Sequence, residues 1–305
     1  MVKIDLITGF LGSGKTTFLK KYTARLLERG QKVGILENDY GAVNVDMMLL
    51  SELDGESCMI ETVAGACDYD CHKRRFKTKL IALGMSGLDR VIVEPSGIFD
   101  VDEFFDTLHE EPLDRWYEIG SVITIVDALD DSPLPDYACY LLAAQAADAG
   151  AVVFSKTALC TPRQIEEKLS QLNGALKAAG CEAQPRDRIF TQDWEHLSGE
   201  TLDIIADSGY RTCGFSKLPP DESGFETLYF MNTELKPSDA QRTVGRLFDG
   251  SCGDVFRVKG FIRGDGWYEL NATANQFRLA PIGNGQDIII VIGENLDKSR
   301  ISEII

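Results

Sequence analysis

The residues best suited to chemistry lie near the amino terminus, in Gly9-Phe10-Leu11-Gly12-Ser13-Gly14-Lys15-Thr16-Thr17. Their spacing is G-x-x-x-x-G-K-[ST], the pattern of a phosphate-binding loop. Gly9, Gly12, Ser13 and Gly14 are small enough for successive backbone N–H groups to converge on a phosphate, and a following helix adds the positive end of its dipole. Lys15 has the reach and charge to meet the β- and γ-phosphates. The Thr16 hydroxyl is placed to bind Mg²⁺, with Thr17 beside it.

Further along, Arg90-Val91-Ile92-Val93-Glu94-Pro95-Ser96-Gly97 is an apolar run closed by an acid. In nucleotide hydrolases such an acid acts on Mg²⁺ or on water. Gly97 would let a backbone N–H approach the γ-phosphate. Glu37-Asn38-Asp39-Tyr40-Gly41 follows another apolar run and reads either as a nucleotide-sensing switch or as a solvated loop. Lys15, Glu94 and Asp39 are thus the candidate catalytic groups.

A third cluster is Cys67-Asp68-Tyr69-Asp70-Cys71-His72. If a helix begins near Cys67, the two cysteines share a face. Thiolate and imidazole suit Zn²⁺ or another soft transition metal; the same pattern also fits two small buried cysteines at a helix start. Positions 74 and 75 are both arginine, which disfavours an iron–sulfur loop. The basic run Lys73 to Lys79 reads as a solvated helix face.

These groups need strands and helices to hold them. Val2 to Ile7 reads as a buried strand, and Phe18, Leu19, Tyr22, Leu26 and Leu27 recur at helical spacing before Gly30. Further buried strands are expected at 32–36, 90–93, 121–127, 151–154 and 188–190. Helices are expected at 104–109 and 140–149, with one opening at Thr161-Pro162 and running to Ala179. This alternation predicts an α/β fold with a doubly wound, mainly parallel sheet. After a linker, expected at 216–224, the texture becomes that of a smaller α+β domain with an antiparallel sheet. The expected domains are 1–215 and 225–305.

The chain has 305 residues, a formal net charge of −17 and eight cysteines without a disulfide-framework spacing. So negative a field repels nucleic acid and anionic membranes, and neither is expected as a partner. No apolar run reaches the ~18 residues of a membrane span. Met1 leads straight into the first strand, so no leader peptide and a cytoplasmic location are expected.

Taken together, the motifs resemble the CobW-like branch of the metal-linked phosphate-loop GTPases over nearly the whole chain. Residues Thr8 to Thr17, Glu37 to Gly41, Glu94 to Gly97, Val126-Asp127-Ala128, Gln145 to Asp148 and Arg257 to Phe261 carry the likeness. It implies GTP-dependent delivery of zinc or cobalt to a client protein or cofactor pathway, and it leaves room for a homodimer formed around nucleotide. The family's G-C-x-C-C hallmark is altered to Gly65-Ala66-Cys67, with Cys71-His72 downstream; Ala42 stands at a second switch glutamate. The implied transition-metal ligands are Cys67, Cys71, His72 and Glu37, with Cys58 nearby. The guanine-reading [NT]-K-x-D appears as Ser155-Lys156-Thr157-Ala158, without its aspartate. Lys156 can still stack on a base, but discrimination should weaken.

The expected function is therefore a GTP- and Mg²⁺-dependent hydrolase that couples nucleotide state to Zn²⁺ or Co²⁺ delivery. An ATP-dependent phosphate-loop kinase or synthetase is the alternative. A membrane-cycling partition ATPase fits less well, because Phe10 stands where such proteins carry an early lysine.

Overall fold

The computed structural model describes residues 1–10, 12–38, 50–63, 69–97, 99, 101–129, 136–213, 225–283, 285 and 287–305. The described residues fall into two compact units, one ending by Lys217 and the other running to Ile305. The expected linker lies outside the described residues.

The first unit is built on a sheet of seven strands: β1 (Val2–Thr8), β2 (Val33–Asn38), β3 (Cys58–Val63), β4 (Arg90–Pro95), β5 (Tyr117–Asp127), β6 (Ala151–Ser155) and β7 (Ile189–Phe190). Their spatial order is β3-β2-β4-β1-β5-β6-β7, and every pairing is parallel. Strands β2, β4 and β6 are buried at every position. A parallel sheet covered on both faces requires that, and it explains their unbroken apolar runs.

One face packs against α1 (Lys15–Glu28), where Phe18, Leu19, Tyr22 and Leu26 meet Ile7, Ile35, Ile92 and Ile125. The other carries α2 (Tyr69–Gly84) and α3 (Val101–Leu108), where Phe76, Leu80 and Phe104 meet Leu6, Val91 and Val93. Beyond the short helix α4 (Leu113–Trp116), α5 (Asp136–Ala147) and α6 (Pro162–Ala178) pack with Val152 and Phe154. Helix α6 opens with a capping box between Thr161 and Gln164.

Besides the single-turn helix α4, two elements go beyond the sequence expectation. Strand β3 is half-exposed, with a mixed burial pattern, so it lacks the apolar run that marks its neighbours. Helix α7 (Gly199–Ala206) is two turns long and buries only Leu202, Ile205 and Ala206, too short a period to read.

The second unit is an antiparallel sheet in the order β11-β10-β9-β12-β8. Its strands are β8 (Phe225–Met231), β9 (Asp254–Arg263), β10 (Trp267–Thr273), β11 (Gln276–Ile282) and β12 (Ile288–Glu294). Helices α8 (Pro237–Gly245) and α9 (Lys298–Ile304) supply Ala240, Val244 and Ile301 to its core. No helix among the described residues is long and apolar enough to cross a membrane.

Candidate functional site: the carboxyl edge of the parallel sheet

Strand β1 ends at Thr8 and α1 begins at Lys15. The turn between them depends on glycine. Gly12 and Gly14 have φ of 84° and 96°, in the left-handed region that favours residues without a Cβ. At Gly9 an added Cβ would stand 2.3 Å from the Ile125 carbonyl oxygen. Gly14 caps α1 without any side-chain hydrogen bond. The first-turn N–H groups of α1 therefore have no side-chain cap, which is the arrangement that receives an anion.

Lys15 is buried, and its Nζ donates to the Gly9 carbonyl across the loop at 3.1 Å. Ser13 Oγ is buried and meets no hydrogen-bond partner among the described residues. Thr17 is exposed on the outer side of α1. A polyphosphate fits this cup: it offers acceptors to the helix N–H groups, to Lys15 and to Ser13.

Strand β4 is the immediate neighbour of β1, so its carboxyl end faces the loop. There Thr16 Oγ1 donates to Glu94 Oε1 at 2.8 Å. Glu94 in turn is the register partner of Glu37 on β2. Neighbouring strands lie about 4.8 Å apart, so the two buried carboxylates are lateral neighbours at the edge of the sheet.

The turn after β4 is pinned from two sides. Ser96 N donates to the Asn38 carbonyl at 2.9 Å, and Gln145 Nε2 donates to the Gly97 carbonyl at 2.9 Å. Gln145 comes from α5 and is fully buried. Its sequence segment was legible only as part of a family likeness, with no role attached.

Asp39, a candidate catalytic group, and Cys67, an expected transition-metal ligand, lie outside the described residues. Cys71 is half-buried and His72 fully buried, at adjacent positions near the start of α2. His72 Nε2 lies 2.6 Å from Asn38 Oδ1. No group of three or more His, Cys, Asp or Glu that could hold a metal is assembled among the described residues. The basic run on α2 is not simply a solvated face, because its lysines pair with neighbouring elements: Lys73 and Lys77 with Glu110, beyond α3, at 3.1 and 2.7 Å, and Lys79 with Glu61 on β3 at 2.6 Å.

At the far side of the loop, Ser155 closes β6 and is buried. Lys156 adopts a left-handed φ of 56°, and its ammonium is paired with the Asp127 carboxylate at the end of β5. Ala158 is exposed in the turn Thr157–Leu159. Trp194, unmarked by any motif, walls this end. Its Nε1 donates to the Phe154 carbonyl at 2.9 Å, and an added Cβ at Gly14 would stand 3.3 Å from its ring.

This geometry can be set beside known proteins. The family model for the CobW/HypB/UreG nucleotide-binding domain matches residues 3–180, more than half of the chain. The chain belongs to the CobW/HypB/UreG family. Among curated relatives, the zinc chaperone YjiA of Escherichia coli is 26% identical over 181 residues, which are 56% of this chain and 55% of YjiA. The zinc chaperone YeiR of the same organism is 29% identical over 128 residues, covering 42% of this chain and 38% of YeiR. The matched part thus spans about half or less of the length of these relatives. Among solved structures, the Zn(II)-bound YjiA GTPase of Escherichia coli aligns over 99% of this chain and 97% of that one, at 19% identity and a TM-score of 0.40.

Proposed function

We propose that the protein is a GTP-binding and GTP-hydrolysing metallochaperone that couples nucleotide state to delivery of Zn²⁺ or Co²⁺ to a client protein or cofactor pathway. The observation that carries this reading is the lateral pairing of Glu37 with Glu94 while Glu94 holds Thr16. One carboxylate belongs to the switch strand and the other is bonded to the phosphate loop, so a change at the nucleotide is felt one strand away. Family membership supports the nucleotide half of the reading, and the curated relatives named as zinc chaperones support the cargo half.

In this reading the N–H groups at the start of α1 hold the phosphates. Lys15 leaves the Gly9 carbonyl to neutralise developing charge, Thr16 binds Mg²⁺, and Glu94 with Asp39 orients Mg²⁺ or water. Such sites work through positioning and electrostatics. The cargo ligands are drawn from Glu37, Cys67, Cys71 and His72. Thiolates must be deprotonated to bind, so cargo affinity falls in acid. A homodimer around nucleotide and a location in the cytoplasm accompany this reading.

The test is metal content and affinity of the purified chain under GDP and under a non-hydrolysable GTP analogue, with Cys67→Ala and Cys71→Ala alongside. The expected result is nucleotide-dependent metal retention that both substitutions reduce. Metal content unchanged across all states would leave a plain nucleotide hydrolase. One observation favours a second reading, an ATP-dependent kinase or synthetase: Ala158 offers no carboxylate to guanine. Competition between ATP and GTP separates the two.

A further inference from the structure

Asn38 is the last residue of β2, and it faces two ways. Its backbone carbonyl accepts from Ser96 N at 2.9 Å, in the turn that follows Glu94. Its side-chain Oδ1 meets His72 Nε2 at 2.6 Å, beside Cys71 at the start of α2. Asn38 is 1% exposed and His72 0% exposed, so no water competes for the bond. Hydrogen bonds in so dry a setting are stronger, and breaking one is costly.

We propose that Asn38 is the positioning residue through which nucleotide state reaches the Cys71–His72 end of α2. This rests on the metallochaperone reading and names the part that makes its coupling work. The path is contiguous. Thr16 holds Glu94, and Glu94 leads into the turn at Ser96 and Gly97. That turn is fixed to α5 by Gln145 and to β2 by Asn38. A γ-phosphate or Mg²⁺ that draws Thr16, Glu94 or the Gly97 N–H toward itself must pull on the Ser96–Asn38 bond. Asn38 then carries the displacement across to the imidazole.

The side-chain bond also sets the chemistry of the ring. An amide oxygen only accepts, so the neutral imidazole keeps its proton on Nε2 and its lone pair on Nδ1. Histidines that bind metals are commonly oriented in this way, by a carbonyl or carboxylate on the other nitrogen. Asn38 therefore orients the ring for Zn²⁺ or Co²⁺ and ties that orientation to the nucleotide.

The test uses the full chain and measures Zn²⁺ and Co²⁺ affinity by chelator competition, with GDP and with a non-hydrolysable GTP analogue. For the unmodified protein the two nucleotide states are expected to differ in metal affinity by about tenfold, within the ordinary range of coupling. Asn38→Ala removes the side-chain bond and leaves the backbone bond to Ser96. Its metal affinities in the two states should converge, while affinity for the GTP analogue is unchanged. Asn38→Asp keeps an acceptor for Nε2 and should retain the coupling. Asn38→Ser keeps a polar group at the buried position but is too short to reach the ring, and it gives the same reading as alanine if the alanine variant does not fold. Coupling retained in both the alanine and serine variants overturns the proposal, as does a parallel loss of nucleotide affinity. An unmodified protein that binds metal equally in both states, or not at all, overturns the metallochaperone reading itself, and is distinguishable because it precedes any substitution.

Discussion

Thr16 and Glu94 are seventy-eight residues apart in sequence, yet the hydroxyl of one donates to the carboxylate of the other at 2.8 Å. The bond exists because β4 lies directly beside β1, which brings the acid at the end of one strand against the loop at the end of the other. Glu94→Gln keeps an oxygen for Thr16 but removes the charge. Nucleotide binding should survive, and single-turnover GTP hydrolysis should slow by about a hundredfold or more, the usual scale for a positioned acid or base. Thr16→Ala removes the proposed Mg²⁺ ligand as well and should raise the Mg²⁺ concentration needed for half-maximal rate. Unaltered turnover in Glu94→Gln would assign this carboxylate to architecture alone.

At the opposite end of the same strands, Arg90 Nη1 lies 2.7 Å from Asp5 Oδ2, and both side chains are buried. Tyr22 Oη and Ser121 N also donate to Asp5, and the Ala206 carbonyl accepts from Arg90. The network joins β1, β4, β5, α1 and α7 beneath the site. Removing one charge strands the other in the core. Arg90→Met should cost about 3–5 kcal/mol in denaturant unfolding, whereas Asp5→Asn combined with Arg90→Met should recover much of that loss. Equal destabilisation by the single and double variants would mean that packing, not charge, dominates here.

Cys58 begins β3 and is almost fully buried. Burial, helped by the nearby Asp54 carboxylate, pushes its thiol up to about 11. The folded state therefore holds this proton more tightly than the unfolded chain does. The associated stability is fully present below the ordinary thiol range and is lost as pH rises through about 11, amounting to about 3 kcal/mol at most. Unfolding followed from pH 8 to pH 11 should show this decline, and Cys58→Ala should flatten it. At pH 8, alkylation of Cys58 in the folded protein should be slow. Rapid labelling there would show that β3 opens readily.

The glycine turn between β1 and α1, the apolar strand ending near Glu94 and the change of texture into the second unit could be read from sequence because each is a local signal: a glycine spacing, an apolar run, a shift in periodicity. Strand β3 could not, because an edge strand exposed on one side lacks the run that marks its buried neighbours. The roles of Asn38, Gln145 and Trp194 could not be read for a different reason, although Asn38 and Gln145 lie in segments that carry the family likeness. Asparagine, glutamine and tryptophan have no spacing rule. Their importance comes from partners 34, 48 and 40 residues away in the chain, which only the folded sheet brings within bonding distance. Even the pairing of Lys156 with Asp127 depends on β5 and β6 being neighbours in register.

That last pairing bears on which base the site accepts. Where the family pattern places an aspartate, Ala158 presents a methyl group in an exposed turn. Asp127, at the end of the neighbouring strand β5, is already engaged by Lys156 and by the Leu129 N–H at 3.0 Å. GTP should therefore outcompete ATP only modestly in the unmodified protein. Ala158→Asp should restore a preference for GTP by about a hundredfold or more, since sites built around such a hydrogen-bonded pair reject the wrong partner strongly. Competitive binding of the two nucleotides, followed through the fluorescence of Trp194 beside Gly14, measures both ratios. If GTP already excludes ATP before the substitution is made, guanine is read by groups other than this turn. If ATP dominates both before and after it, the nucleotide half of the GTPase reading gives way to the kinase alternative.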